Sequence, residues 1–265
     1  MTTPIFPPIP ESTARSARAI YGRGNPYLYL GDRLDTILSI FEPKMLGTEL
    51  YGNTLAFLAL LTIIQFAEDL ADNDLVESVQ SRPDLKYALH LPDPSLRLSP
   101  LPLCVFRQKV LSDPSYRNLF KEIFIHIYPN LHFRRLDEDA DINNVVISIC
   151  INTIHASLFD AMLRSVEALS ADQFVWFRRI AKPFWYERYS HTKSIFNTGS
   201  SIRYQGSTLE DIKADIQYLL QSVAQLDSQE VNEIEEIKIL KRMWDKMSCF
   251  EFDNNCHTCL LNTKY

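Results

Sequence analysis

Asp141 is the residue whose chemistry is most open to two interpretations. It stands directly before a long apolar run, DINNVVISICINTI at 141–154. A carboxylate in this position can bind a divalent metal ion in a catalytic site, or it can cap a helix that begins near Asn143. Such a helix would bury one face, made of Val146, Ile149, Cys150, Thr153 and Ile154.

Residues 176–206 form a basic segment in an otherwise acidic chain. Six cations stand there against one acid, Glu187. Because Lys and Arg contacts to phosphate drive salt-dependent binding of nucleic acid, this segment predicts a DNA-binding surface. The cations are Arg178, Arg179, Lys182, Arg188, Lys193 and Arg203.

Aromatic residues are interleaved with these cations, at Phe184, Trp185, Tyr186 and Tyr189. Such rings can stack on unpaired bases. The more common arrangement places them at the edge of a core, beneath the stems of long cationic side chains. The sequence leaves both alternatives open.

Four possible zinc ligands lie near the end of the sequence: Cys249, Cys256, His257 and Cys259. The CHTC segment at 256–259 has the two-residue spacing of many zinc ligand pairs, but a closed structural site needs four ligands in suitable positions. We expect an irregular tail with incidental thiols.

Composition indicates a mainly helical protein with an ample core. The chain has 265 residues, 46% of them hydrophobic, with only 7 Gly against 14 Pro. The net charge of −6 argues against a protein that coats nucleic acid indiscriminately. The five Cys and an N-terminus without signal-peptide features predict a cytoplasmic protein with no membrane association. The most apolar stretch, residues 54–67, is shorter than the roughly 20 residues that cross a bilayer.

Apolar spacing and capping residues predict three helices with particular clarity. The first runs from about Pro114 to Tyr128 after Asp113, which suits an N-cap. The second follows the capping-box spacing of Ser207 to Glu210. The third has acids early and cations late over 230–246, with a buried stripe at Val231, Ile234, Ile237, Leu240 and Trp244.

Residues 54–91 predict an arrangement similar to a helix-turn-helix. A long apolar helix is followed by a break at residues 71–73, a short helix, and a second short helix opened by Arg82-Pro83. An ordinary corner of a helical bundle has the same pattern. If the segment binds DNA, Arg82 and Lys86 are the candidates for phosphate contact.

Three regions are expected. They are a helical N-terminal domain over 1–135, a second helical region over 136–252, and an irregular tail over 253–265. The boundary is placed in the polar stretch HFRRLDEDADINN at 132–144.

Whole segments of the chain carry a family resemblance. The most specific block is LTIIQFAEDLADNDLVESVQSRPDLKYALHL at 61–91. Further segments are PPIPESTARSARAIYGRGNPYLYLGDRL at 7–34, LCVFRQKVL at 103–111, DINNVVISICINTIHASLFDAMLRSVEAL at 141–169, WYERY at 185–189 and IKILKRMWDKM at 237–247. Up to about Phe252 the chain resembles the N-terminal half of bacterial insertion-sequence transposases of the DDE type with an InsH-like N-terminal domain.

This resemblance implies a protein that binds double-stranded DNA at the terminal inverted repeats of a mobile element and that self-associates. In the family, three carboxylates hold two Mg²⁺ ions for strand cleavage and transfer, and Asp141 matches the position of the first carboxylate. The expected Ser-Thr-His-Val-like run after it is replaced by Ile142-Asn143-Asn144-Val145. One carboxylate cannot hold two metal ions about 3.5–4 Å apart.

The expected function is therefore that of a truncated or split transposase fragment that binds DNA ends. No Mg²⁺ is expected on this chain alone, and strand transfer is either lost or supplied by a separate catalytic polypeptide. The alternatives are a non-enzymatic DNA-binding repressor of transposition and a helical scaffold or degenerate remnant without DNA affinity. The candidate DNA-binding residues are Arg82, Lys86, Arg107, Lys109, Arg178, Arg179, Lys182 and Arg188.

Overall fold

The fold is helical, as the sequence predicts. A computed structural model describes residues 6–47, 49–50, 53–93, 98–131, 141–189, 207–226 and 228–248. Within these ranges the β-structure is a single antiparallel pairing of two-residue strands, with Glu49 opposite Thr54. The chain divides into two compact units, and their division lies between Cys150 and Ile151.

Unit 1 contains the described residues up to Cys150. Its elements are α1 (Glu11–Ile20), α2 (Pro26–Leu38), α3 (Pro43–Leu46), β1 (Glu49–Leu50), β2 (Asn53–Thr54), α4 (Leu55–Ala67), α5 (Asp72–Ser81), α6 (Pro83–Ala88), α7 (Pro100–Ser112), α8 (Pro114–Ile127), a 3₁₀ turn (Tyr128–Leu131) and the first residues of α9 (Ile142–Asp172).

Polar residues followed by Pro begin several of these helices, as predicted. Asp113 accepts a hydrogen bond of 2.8 Å from the Ser115 N–H, and Ser99 accepts one of 3.4 Å from the Leu101 N–H. Pro is suited to the first helical turn because its missing N–H would have no partner there. The predicted helix after Asp113 is confirmed over Pro114–Ile127, with Phe120, Ile123, Phe124 and Ile127 buried.

The apolar helix α4 lies in the core of unit 1, where ten of its residues are buried. Burial at this level explains why α4 shows no polar face in the sequence. The break after it falls at residues 68–71, earlier than predicted, because α5 already begins at Asp72.

Helices α5 and α6 occupy the predicted places, but the helix-turn-helix detail is not confirmed. All α6 residues after Pro83 are buried. The exposed residues of α5 include no cation; they are Asn73, Glu77, Gln80 and Ser81. A recognition helix needs an exposed face that reaches base edges, and neither helix offers a basic one.

Unit 2 contains the described residues from Ile151 onward. Its elements are the remainder of α9, α10 (Phe174–Ile180), α11 (Trp185–Arg188), α12 (Leu209–Leu226), α13 (Gln229–Glu233) and α14 (Glu235–Ser248).

The predicted capping box at the start of α12 is displaced by one residue. Thr208 Oγ1 accepts from the Asp211 N–H at 3.1 Å, and Asp211 Oδ2 accepts from the Thr208 N–H at 2.9 Å. This reciprocal pair has the geometry of a capping box. The wrong register arose because both Ser207 and Thr208 are suitable N-caps.

The predicted continuous helix over 230–246 is interrupted. Ile234 has extended backbone angles, φ −60° and ψ 124°, and separates α13 from α14. Its carbonyl then accepts from the Lys238 N–H at 3.1 Å and so begins α14. Val231, Ile237 and Leu240 are buried as predicted, whereas Ile234 and Trp244 are half-buried.

Most of the predicted domain boundary, residues 132–140, lies outside the described residues. The division into compact units falls farther along, within α9. The Cys-rich tail, including Cys249, Cys256, His257 and Cys259, also lies outside them, as do Lys193 and Arg203.

Candidate nucleic-acid interface

Asp215 is the centre of a polar cluster in unit 2, and its carboxylate is almost fully buried. Lys182 Nζ lies 2.8 Å from Oδ1, and Arg188 Nη1 lies 2.8 Å from Oδ2. The Tyr189 hydroxyl donates to the same Oδ2 at 3.0 Å. We call Lys182, Arg188, Tyr189 and Asp215 the Asp215 cluster.

Local sequence explains how this cluster forms. Asp215 lies on the buried face of α12 together with Ile212, Ile216 and Leu219. A buried carboxylate is tolerated only where cations or hydrogen-bond donors reach it. Lys182 precedes α11, a single helical turn, and Arg188 is the last residue of that turn; both reach this carboxylate. Burial, and then the nearby charge of Asp215, raises the pKa of Tyr189 well above its ordinary value, so its hydroxyl remains a donor.

Aromatic rings surround the two cations. Lys182 Nζ lies 4.9 Å from the ring centre of Tyr218 and 5.6 Å from that of Phe184. Arg188 Cζ lies 4.8 Å from the Phe184 ring centre. Cations at these distances are attracted to the faces of aromatic rings.

Two of the four aromatic residues of the segment lie in the core and two are exposed. Trp185 and Tyr189 are buried and pack within unit 2, with Tyr189 at 5.3 Å from Phe159. Phe184 and Tyr186 remain exposed, by 43% and 48%. Base stacking is therefore sterically open to Phe184 and Tyr186.

Arg178 and Arg179 lie in the last turn of α10, and both are exposed. Neither forms an ion pair with any residue that the structure describes. These two guanidinium groups are available to an external anion.

The candidate cations of unit 1 are mostly engaged inside the protein. Arg82 forms ion pairs with Glu68 and Asp84, and Lys86 Nζ lies 2.7 Å from Asp93. Lys109 is exposed, with its Nζ 5.2 Å from the ring centre of Tyr116.

Arg107 is fully buried, and this corrects its placement among the DNA contacts. Its Nη2 lies 2.7 Å from Asp72 Oδ2, and Nη1 donates to Gln65 Oε1 at 3.0 Å. A phosphate cannot reach a guanidinium with no exposed surface. We therefore leave Arg107 out of the interface.

Asp141 serves as the cap of α9. Its Oδ1 accepts from the Asn143 N–H at 2.9 Å, and its carbonyl accepts from the Val145 N–H at 3.2 Å. The predicted inward face of this helix is confirmed, because Val146, Ile149, Cys150, Thr153 and Ile154 are all buried.

The carboxylate of Asp141 does not fit a two-magnesium site with the other described residues. No group of three or more His, Cys, Asp or Glu side chains in the described ranges is placed to hold a metal ion. One carboxylate oxygen of Asp141, Oδ1, already accepts the Asn143 N–H at the start of α9. We derive no catalytic step through Mg²⁺.

Asp215 and Tyr218 were missed by sequence reasoning. A signal for Asp215 was present, since it occupies an apolar position of α12 between Ile212 and Leu219 at helical spacing. An acid in such a stripe predicts a cationic partner from another segment.

One described helix, α9, has a stretch that is long and apolar enough to cross a membrane. Most of that stretch is buried inside the protein, as in the core helix of a soluble protein. Length and composition alone do not separate these cases.

Comparison with protein-family models, with curated proteins and with solved structures found no match to this chain.

Proposed function

We propose that this chain binds double-stranded DNA as the end-binding part of a DDE-type insertion-sequence transposase with an InsH-like N-terminal domain. The main supporting observation is the exposed Arg178–Arg179 pair, which has no ion-pair partner among the described residues. Arginine donates several hydrogen bonds in a fixed geometry that suits phosphate oxygens. The resemblance of segments 7–34, 61–91 and 103–111 to that family supplies the transposase context.

The salt dependence of binding tests this proposal. Each phosphate neutralised by the protein contributes about −0.9 to the slope of log K against log salt for duplex DNA. Replacement of both arginines by Ala should therefore make the slope shallower by about 2 and weaken binding to every duplex sequence.

A matched control removes two cations of unit 2 that already have partners. Lys238 pairs with Glu233, and Arg242 pairs with Glu235. The R178A/R179A and K238A/R242A variants lose the same formal charge, so only a local contact distinguishes them. Fluorescence anisotropy of a labelled duplex over a salt series should show the loss in the first variant only. Equal slopes in both variants would remove Arg178 and Arg179 from the interface.

Recognition of terminal inverted repeats is a separate part of the proposal. A duplex from the ends of the element that encodes the chain should bind more tightly than random duplex of equal length at physiological salt. Equal affinity for the two would contradict end recognition. Specific binding alone fits both a transposase fragment and a repressor that occupies the same ends.

A helical scaffold without DNA affinity is the second candidate. It is favoured by the engagement of five of the eight candidate cations with internal carboxylates: Arg82, Lys86, Arg107, Lys182 and Arg188. Absence of duplex binding at low salt, where electrostatic binding is strongest, would favour this candidate.

A further inference from the structure

The Asp215 cluster presents positive charge outward and buries its negative charge. Lys182 and Arg188 retain 32% and 21% side-chain exposure, whereas the Asp215 side chain retains 2%. An ammonium group has three donors and a guanidinium has five, and the bonds to Asp215 take one from each. The cluster therefore has donors to spare on its solvent side.

A second acid, Asp211, lies near Arg188. The pKa of Asp211 is lowered first by the backbone and hydroxyl of Thr208, and to a smaller extent by Arg188. The Thr208 N–H donates to the Asp211 carboxylate at 2.9 Å, so this carboxylate serves to cap the start of α12.

The shared carboxylate of Asp215 holds both cations in place before an anion binds. Less side-chain entropy is therefore lost when the anion binds.

Two exposed rings adjoin the same cations. Phe184 lies near both Lys182 and Arg188, and Tyr218, with 38% exposure, lies near Lys182. A nucleotide combines a phosphate with a planar base, so it matches a cation pair beside an aromatic face. In paired DNA the base faces are covered by stacked neighbours, and only an unpaired nucleotide offers one.

We infer that the Asp215 cluster binds one unpaired nucleotide at the end of bound DNA, with the phosphate on Lys182 and Arg188 and the base stacked on Phe184. This inference rests on the proposed function, and it adds a preferred substrate: duplex ends with unpaired nucleotides rather than blunt ends.

The experiment compares three labelled duplexes that share the same paired region and are presented to the full chain. One is blunt, one has a short single-stranded overhang, and one has an abasic overhang with the same number of phosphates. The normal overhang should bind at least about fivefold more tightly than the abasic one, which is the lower end expected for base–aromatic stacking. Equal affinity for these two would overturn the inference, while binding of blunt duplex would leave the proposed function intact.

Two variants locate the effect. Phe184→Leu should abolish the preference for the normal overhang over the abasic one, whereas Phe184→Trp should retain that preference. Tyr186→Leu is the matched control, because Tyr186 is a similarly exposed ring two residues farther along the chain, but its described ring contact is with Phe177. If Tyr186→Leu removes the preference and Phe184→Leu does not, the site is wrongly assigned.

If blunt duplex does not bind, single strands with normal and with abasic nucleotides are compared. This comparison tests the nucleotide site separately from the proposed duplex interface. Preference for the normal strand, lost in Phe184→Leu, would support the nucleotide site and contradict the duplex interface. Failure to bind any of these DNAs would contradict both proposals.

Discussion

Arg107 and Asp72 form an ion pair of 2.7 Å in the core of unit 1, although neither side chain has any exposed surface. Gln65 closes a ring with them, since its Nε2 donates to Asp72 Oδ1 at 2.7 Å and its Oε1 accepts from Arg107 Nη1 at 3.0 Å. The ring joins α4, α5 and α7. Hydrogen bonds to both charges are what make such burial tolerable.

Arg107→Met should destabilise unit 1 by about 3–5 kcal/mol, because it leaves the Asp72 carboxylate buried without its cation. Chemical unfolding followed by far-UV circular dichroism measures this loss. The control is Arg15→Ala, which breaks the exposed pair with Glu11 and should cost less than about 0.5 kcal/mol. The double variant R107M/D72N should recover part of the loss, because it removes both charges. Similar stability of R107M and R15A would contradict a structural role for the buried pair.

The Arg107–Asp72 pair shows why the local helices could be predicted from the sequence while the partners of the cations could not. Local spacing predicted α8, the presence of α12 and the buried face of α9, because those features depend on neighbours within one or two turns. Whether a cation pairs with an internal carboxylate depends on residues that are distant in the sequence. Arg107 meets an acid 35 positions away, and Lys182 meets one 33 positions away. A basic residue that neutralises an internal acid therefore looks, in sequence, like one that awaits phosphate.

The break at Ile234 was unpredictable for a related reason. Charge order and apolar spacing continue through this residue without interruption, and no Gly or Pro marks the point. Tertiary context can override local helix preference at a single residue, and local sequence patterns do not reveal where it does so.

Gly31→Ala should destabilise unit 1, although Ala ordinarily improves the interior of a helix. A Cβ at Gly31 would lie 2.7 Å from Cδ1 of Tyr87 and 2.8 Å from its backbone oxygen. Backbone cannot move aside as a side-chain tip does, so overpacking should cost about 1–3 kcal/mol. Chemical unfolding measures this loss. Gly22→Ala is the control, because its Cβ would meet no atom within 4 Å. Stabilisation by Gly31→Ala would show that α2 and α6 separate without cost.

Asp141→Ala and Asp141→Asn should differ in stability, because Asn retains a cap and Ala does not. The Ala variant should lose about 1 kcal/mol, and the Asn variant only a few tenths, in chemical unfolding. Metal binding needs the negative charge of Asp141. Asn keeps the shape of the side chain but removes that charge, so it would preserve the cap and lose the metal. If terminal-repeat DNA were cleaved in Mg²⁺ by the wild-type chain and by neither variant, Asp141 would have a catalytic role beside its capping role.

His155 predicts a pH dependence in the stability of unit 2. Burial lowers its pKa from the ordinary 6.5, and this outweighs the opposite effect of a hydrogen bond with the Ser207 backbone. Above pH 6.5 the ring is neutral in both folded and unfolded chains, so stability is fully present. Below it, the unfolded chain takes up the proton more readily, and stability is lost as the pH falls through the lowered value.

His155→Gln should therefore remove part of the stability loss of unit 2 between pH 7.5 and pH 5.5, because Gln does not titrate. All three Trp residues of the chain lie in unit 2, at 176, 185 and 244, so tryptophan fluorescence during chemical unfolding reports on this unit. The control is His126→Gln, since His126 belongs to unit 1 and its replacement should leave the fluorescence-detected pH dependence unchanged. If the wild type and H155Q lost equal stability over this interval, burial of the His155 ring would contribute nothing to the acid sensitivity of unit 2.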